Sequence, residues 1–105
     1  MEQTLNLSTN LRAVDSIKSE ILSEVAELYR SLSDYDAPEL EERVINRIST
    51  IIAMNYILSR RMGLDFNAID TKICELCNIA ADGNHELELA FSDMSELSKI
   101  GRAHV

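Results

Sequence analysis

The sequence predicts an all-α fold. The chain of 105 residues holds only three glycines and one proline. Its apolar residues recur at steps of three and four rather than two, which is the period of a helix and not of a strand. No internal repeat, linker or low-complexity tract interrupts it, so we expect one domain over residues 1–105. An apolar content of 46% suffices for a single core.

Four helices are expected, as a bundle. The first runs over about 11–32, where Leu11, Val14, Ile17, Ile21, Val25, Leu28 and Leu32 form the clearest stripe in the chain. A break follows at "SDYDAPEL". Asp36 is placed to cap the next helix and Pro38 sits in its first turn, with Glu39, Glu41 and Glu42 beside the positive end of its dipole. This second helix, about 38–62, carries "IIAMNYIL", in which only Asn55 is polar. A helix apolar all round must be covered on all sides. In so small a domain that implies a central helix or a subunit interface, so we expect a homodimer or homotetramer built through the second helix. Asn55 is then a buried amide fixing register or pairing. Arg60 and Arg61 suit the negative end of this helix, and Gly63 stops it. The third helix spans about 66–81 and ends near Gly83. The fourth spans about 84–100, capped by Asn84, turning Leu87, Phe91, Met94, Leu97 and Ile100 inward and ending at Gly101, with "RAHV" frayed beyond it.

The net charge of -8 argues against nucleic acid and anionic membrane as partners, since both repel a surface of this sign. Charges interrupt every apolar run well short of the roughly 20 residues that span a bilayer. The opening "MEQTLNLSTN" is polar and lacks the basic start and apolar run of a secretory leader, so the cytosol is the expected location.

Candidate chemistry begins with Glu20, Glu24 and Glu27, spaced four and three apart and so aligned along one side of the first helix. Glu24 and Glu27 form an E-x-x-E beside the apolar stripe. Two carboxylates one turn apart can supply half of a magnesium site, and the same pattern is also the ordinary wet edge of an acidic amphipathic helix. Cys74 and Cys77 make a C-x-x-C with His85 beyond. A structural zinc site wants four ligands, and the chain offers two cysteines and two histidines, one of them His104 in the tail. Reduced core thiols fit better, because Ile73, Cys77 and Ala80 continue an apolar pattern. His85, at a helix start beside Glu86 and Glu88, suits a neutral hydrogen-bonding role. The chain has no Gly-rich phosphate loop, no G-x-S-x-G and no basic-aromatic patch, so the common nucleotide and nucleic-acid modules drop out.

The stretch "LSEVAELYRSL" resembles the first helix of MazG-type nucleotide pyrophosphohydrolases, in which an E-x-x-E is completed by an E-x-x-D on the next helix. "ISTIIAMNYILSRRMGLDFNAIDTKI" is similar to their second and third helices, with Gly63, Leu64 and Asp65 as the Gly-apolar-Asp turn. Together with "NHELELAFSDMSEL" the likeness is to the small MazG-like family of Gram-positive bacteria and their phages, from about Ile17 to Leu97. The resemblance implies an all-α MazG-like bundle and, in active members, magnesium held by both motifs. Here the departure matters. Counting back from Gly63, the second motif's acids fall on Arg47 and Thr50. Arginine stays protonated and repels the ion, and threonine offers one neutral oxygen. A register shifted by a turn would bring Glu42 or Glu39 there instead.

The leading expectation is therefore a relative with a degenerate metal site, non-catalytic or weakly active, without a cofactor, serving as a helical interaction or nucleotide-sensing module. The alternative is a magnesium-dependent nucleoside triphosphate pyrophosphohydrolase that removes aberrant nucleotides, with Glu24 and Glu27 on the metal. A third reading is a regulatory binder of another protein with no nucleotide link. If the first two helices face each other as in the family, Arg47 falls within hydrogen-bonding reach of Glu24 or Glu27 and replaces magnesium, offering a planar bidentate fork.

Overall fold

The structure, a computed structural model, describes residues 2–103, with side chains over 9–100. Among these residues there are five helices and no strand: α1 (Glu2–Leu32), α2 (Leu40–Arg61), α3 (Phe66–Asp82), α4 (Glu86–Phe91) and α5 (Asp93–Ala103). His104, placed by the sequence in a frayed tail, lies outside the described residues. The chain divides into two compact units, Met1–Gly63 and Leu64–Val105.

The first unit is a helical hairpin of α1 and α2. α1 begins at Glu2 rather than near Leu11, because "EQTLNLSTN" contains no glycine or proline to stop a helix that the apolar stripe has started. The loop also differs from expectation. α2 starts at Leu40, its N-cap residue is Glu39, and no side chain caps it. Asp36 lies too far back to serve, and Pro38 sits in a turn closed by Leu40 N–H donating to Ala37 O at 3.1 Å. Gly63 follows the end of α2 at φ +85, with its N–H donating to Arg60 O at 3.0 Å. That left-handed conformation is why glycine stands there.

Two ion or hydrogen-bonded pairs fix how the hairpin is aligned. Glu24 meets Arg47, and Asn10, fourteen residues earlier on α1, meets Arg61, fourteen later on α2. The helices are therefore antiparallel and in constant register. Ile17 is buried, and Val14, Ile21, Val25 and Leu28 pack half-buried toward α2, which contributes Leu40, Val44, Ile51, Met54 and Leu58. α2 is not covered all round: Ile52, Asn55 and Ile57 are exposed. Asn55 is thus not a buried amide in this chain. Its Nδ2 donates to Ile51 O at 2.8 Å, one turn back on its own helix.

In the second unit α3 packs on α5, with α4 beside α5. Asp65 caps α3, its carboxylate accepting from Asn67 N–H at 3.1 Å. α3 ends in a paired closure, with His85 N–H on Ala80 O at 2.9 Å and Asn84 N–H on Ala81 O at 3.2 Å. This corrects the role expected of Asn84, which sits at φ 58 to close α3 rather than to cap the next helix. The expected fourth helix is two. Ser92 at φ 58 breaks it, and Glu88 bridges the break by accepting from both the backbone N–H and the hydroxyl of Ser95. Gly101 does not end α5, which continues to Ala103.

Candidate functional site

The position where the E-x-x-E faces the second helix is part-buried between α1 and α2. Arg47 Nη1 lies 3.0 Å from Glu24 Oε1 and 2.9 Å from Glu24 Oε2, so one guanidinium nitrogen donates to both oxygens. The expected two-nitrogen fork is not formed. The Glu24 side chain is 17% exposed and that of Arg47 38%. Hydrogen bonding to Glu24 raises the Arg47 pKa above its ordinary value, the Glu24 charge adds to this, and Glu27 adds a smaller charge effect, against an opposing desolvation. The guanidinium is thus a permanent positive charge seated on the first of the two glutamates.

Glu27 takes a different course. Its carboxylate accepts from Arg30 Nη1 one turn further along α1, and its side chain is 41% exposed. Glu20 is exposed. The three aligned glutamates therefore divide into one interhelical, one paired along its own helix and one facing solvent. Thr50 is half-buried and its hydroxyl donates to Asn46 O at 2.7 Å, a bond to its own helix backbone.

The shifted-register acids lie elsewhere. Glu39 pairs with Arg43 at 3.6 Å. Glu39, Glu41 and Glu42 line an open hollow of about 350 Å³ with Pro38, Ile45 and Asn46, and neither Glu24 nor Glu27 borders it. Among the described residues no three histidine, cysteine, aspartate or glutamate side chains are grouped so as to hold a metal ion.

Both cysteines are free thiols, Cys77 buried and Cys74 half-buried. Cys74 Sγ lies 3.6 Å from Ser98 O, and Asn78 Nδ2 lies 3.9 Å from Cys74 Sγ. Both sit on the face of α3 that α5 covers. His85 is itself the N-cap of α4, with Nδ1 accepting from Leu87 N–H at 3.1 Å. His85 thus serves as a hydrogen-bonding cap at the start of α4.

Sequence reasoning missed the Asn10 to Arg61, Glu39 to Arg43, Glu27 to Arg30 and Glu88 to Ser95 contacts. The Glu27 to Arg30 pair was legible as an E-x-x-R on a helix face. The Glu88 to Ser95 clasp depends on the break at Ser92, which has no glycine or proline to announce it.

A sequence model of the MazG-like family matches residues 7–94. The chain belongs to the MazG-like family. No curated protein and no solved structure gives a match. The MazG-like fold, related to that of the nucleotide pyrophosphohydrolases, is thereby combined with an interhelical pair in which Arg47 faces the E-x-x-E. No helix among the described residues is long and apolar enough to cross a membrane.

Proposed function

We propose that this MazG-like protein is a non-catalytic or weakly active member whose metal site has been replaced by an ion pair, acting in the cytosol as a helical interaction or nucleotide-sensing module. The observation that supports this is the seat of Arg47 Nη1 on both oxygens of Glu24. Magnesium needs several hard oxygen donors in near-octahedral array. Glu24 and Glu27 are two such donors; Glu24 is held by the Arg47 guanidinium from α2, and the Thr50 hydroxyl is turned to its own backbone. These residues do not fit the ion. A positive charge at that place repels it, and the oxygens it would take are already engaged.

The test is pyrophosphate release. Purified protein incubated with mixed nucleoside triphosphates and magnesium is expected to remain at background, and Glu24→Ala to change nothing. A second reading, a magnesium-dependent nucleoside triphosphate pyrophosphohydrolase with Glu24 and Glu27 on the metal, draws on the family membership. Magnesium-dependent release that Glu24→Ala abolishes would establish it and overturn the first.

A further inference from the structure

Cys74 and Cys77 stand one turn apart on the side of α3 that α5 covers, and the interhelical site on α1 and α2 involves neither. Cys77 is buried and Cys74 half-buried, so one sulfur is enclosed while the other keeps a way to solvent. Cys74 Sγ lies 3.6 Å from Ser98 O, and Asn78 Nδ2 lies 3.9 Å from Cys74 Sγ.

A third sulfur belongs to the same contact. α4 packs beside α5 rather than back along α3, so α5 returns antiparallel to α3. Pairing Cys74 with Ser98 then sets Asn78 against Met94. Met94 precedes the buried Ser98 by four residues, about one helical turn, and so shares its α3-facing side; it is half-buried. Its thioether is thereby placed beside the turn of α3 that carries Cys77.

A disulfide does not suit the two thiols. Residues three apart on a helix hold their Cβ atoms about 5 to 6 Å apart, whereas a disulfide needs about 3.5 to 4.5 Å. α3 is continuous from Phe66 to Asp82, with no break between the cysteines to bring them closer. A metal–thiolate bond is about 2.3 Å, so an ion seated between the sulfurs spans the larger gap. Zinc does not suit them either. It takes four ligands, and among the described residues no third histidine, cysteine, aspartate or glutamate is grouped with the pair. His85 Nδ1 is engaged with Leu87 N–H. Soft thiolate and thioether donors select copper(I), which needs only two or three of them.

We infer that Cys74, Cys77 and Met94 form a site for one soft monovalent cation of the copper(I) type, with two thiolates and a thioether as donors and Cys74 as the entry. Two S–H protons leave to solvent as one cation binds, and copper stays monovalent throughout. The Cys74 S–H directed at Ser98 O is one of those protons, and Sγ turns from that carbonyl to the ion. Asn78 Nδ2, as a donor toward Cys74 Sγ, offsets the negative charge that remains on the sulfurs. The ion ties α3 to α5, so loading stabilises the second unit by linkage. This inference goes beyond the proposed function and is independent of the hydrolysis assay.

The test is anaerobic titration of the reduced full chain with copper(I) held by the coloured chelator bathocuproine disulfonate. Native mass spectrometry gives the stoichiometry, and circular dichroism follows the fold. The wild type is expected to take one copper(I) per chain from the chelator, to gain sulfur-to-copper absorption in the near ultraviolet, and to melt at a higher temperature when loaded. Cys74→Ala and Cys77→Ala should each weaken capture about a hundredfold, and Met94→Leu, which keeps the apolar volume, roughly tenfold. Should Cys77→Ala lose helix, Cys74→Ala, at the half-buried position, carries the test. Zinc at the same concentration should neither displace copper(I) nor raise the melting temperature. No transfer from the chelator, transfer that Cys74→Ala leaves unchanged, capture by Met94→Leu equal to the wild type, or a stoichiometric zinc complex would each overturn the inference.

Discussion

Arg47 Nη1 sits within 3.0 Å of both carboxylate oxygens of Glu24, joining residues that are 23 positions apart in the chain. The contact has a direct consequence for stability. Removing the arginine alone leaves Glu24, largely covered, without its cation and with Glu27 nearby, and an uncompensated charge costs more than the intact pair contributes. Arg47→Ala should therefore melt at a lower temperature than the triple variant Arg47→Ala, Glu24→Gln, Glu27→Gln. Thermal unfolding followed by circular dichroism checks the order; a triple variant less stable than Arg47→Ala would contradict it.

Glu88 supplies a pH dependence. Hydrogen bonds from the Ser95 hydroxyl and then from its backbone N–H lower the Glu88 pKa, with a smaller contribution from Met94 N–H. A carboxylate with a depressed folded pKa contributes stability that is present above its unfolded pKa of roughly 4.3 and is lost as pH falls through the folded value. The α4–α5 corner should loosen only below about pH 4.3. The Ser95 amide resonance should report this, and Glu88→Gln should remove that part of its titration. An amide shift centred near neutral pH would contradict the assignment.

Ile17 is buried at the centre of the hairpin contact. Ile17→Ala should cost about 2 to 4 kcal/mol, the transfer of the lost methyl groups plus the space they leave. Urea unfolding measures it. A cost near that of an exposed substitution, under about 0.5 kcal/mol, would mean that α1 does not pack on α2 through this residue.

Gly63 tests the hairpin's end. Its backbone is left-handed, and a Cβ built there meets nothing within 4 Å. Gly63→Ala should cost about 1 kcal/mol through backbone strain alone, and Gly63→Asn less, since asparagine tolerates that conformation. Equal effects of the two substitutions would point to a steric cause instead.

The sequence carried the helical class through its period, and the interhelical pair through the resemblance to the MazG-type helices, which sets Arg47 against Glu24 and Glu27. The stripe from Val14 to Leu28 sets the face of α1 that packs on α2, while Leu11 and Leu32 at its ends are exposed, and counting back from Gly63 in that resemblance sets which residue of α2 meets Glu24. Endpoints were less legible. A helix start is readable only where a breaker or cap enforces it; Ser8, Thr9 and Asn10 are cap-type residues, but no glycine or proline precedes Leu11, and α1 runs through them back to Glu2. The break at Ser92 was hidden because a serine in a left-handed conformation leaves no mark in the sequence, whereas Gly101, a nominal stop, lies within α5. The apolar run around Asn55 predicts cover by a central helix or a subunit interface; within the chain Asn55 is exposed, because a two-helix hairpin has only one covered side per helix.

The most direct measurement is calorimetric titration of magnesium into the wild type and into Arg47→Glu with Thr50→Asp. The account predicts no heat of binding to the wild type, and binding by the double variant, because removing the guanidinium and adding two carboxylates opposite Glu24 and Glu27 supplies the donor set that the wild type lacks. Stoichiometric magnesium binding by the wild type, lost in Glu24→Ala, would contradict it.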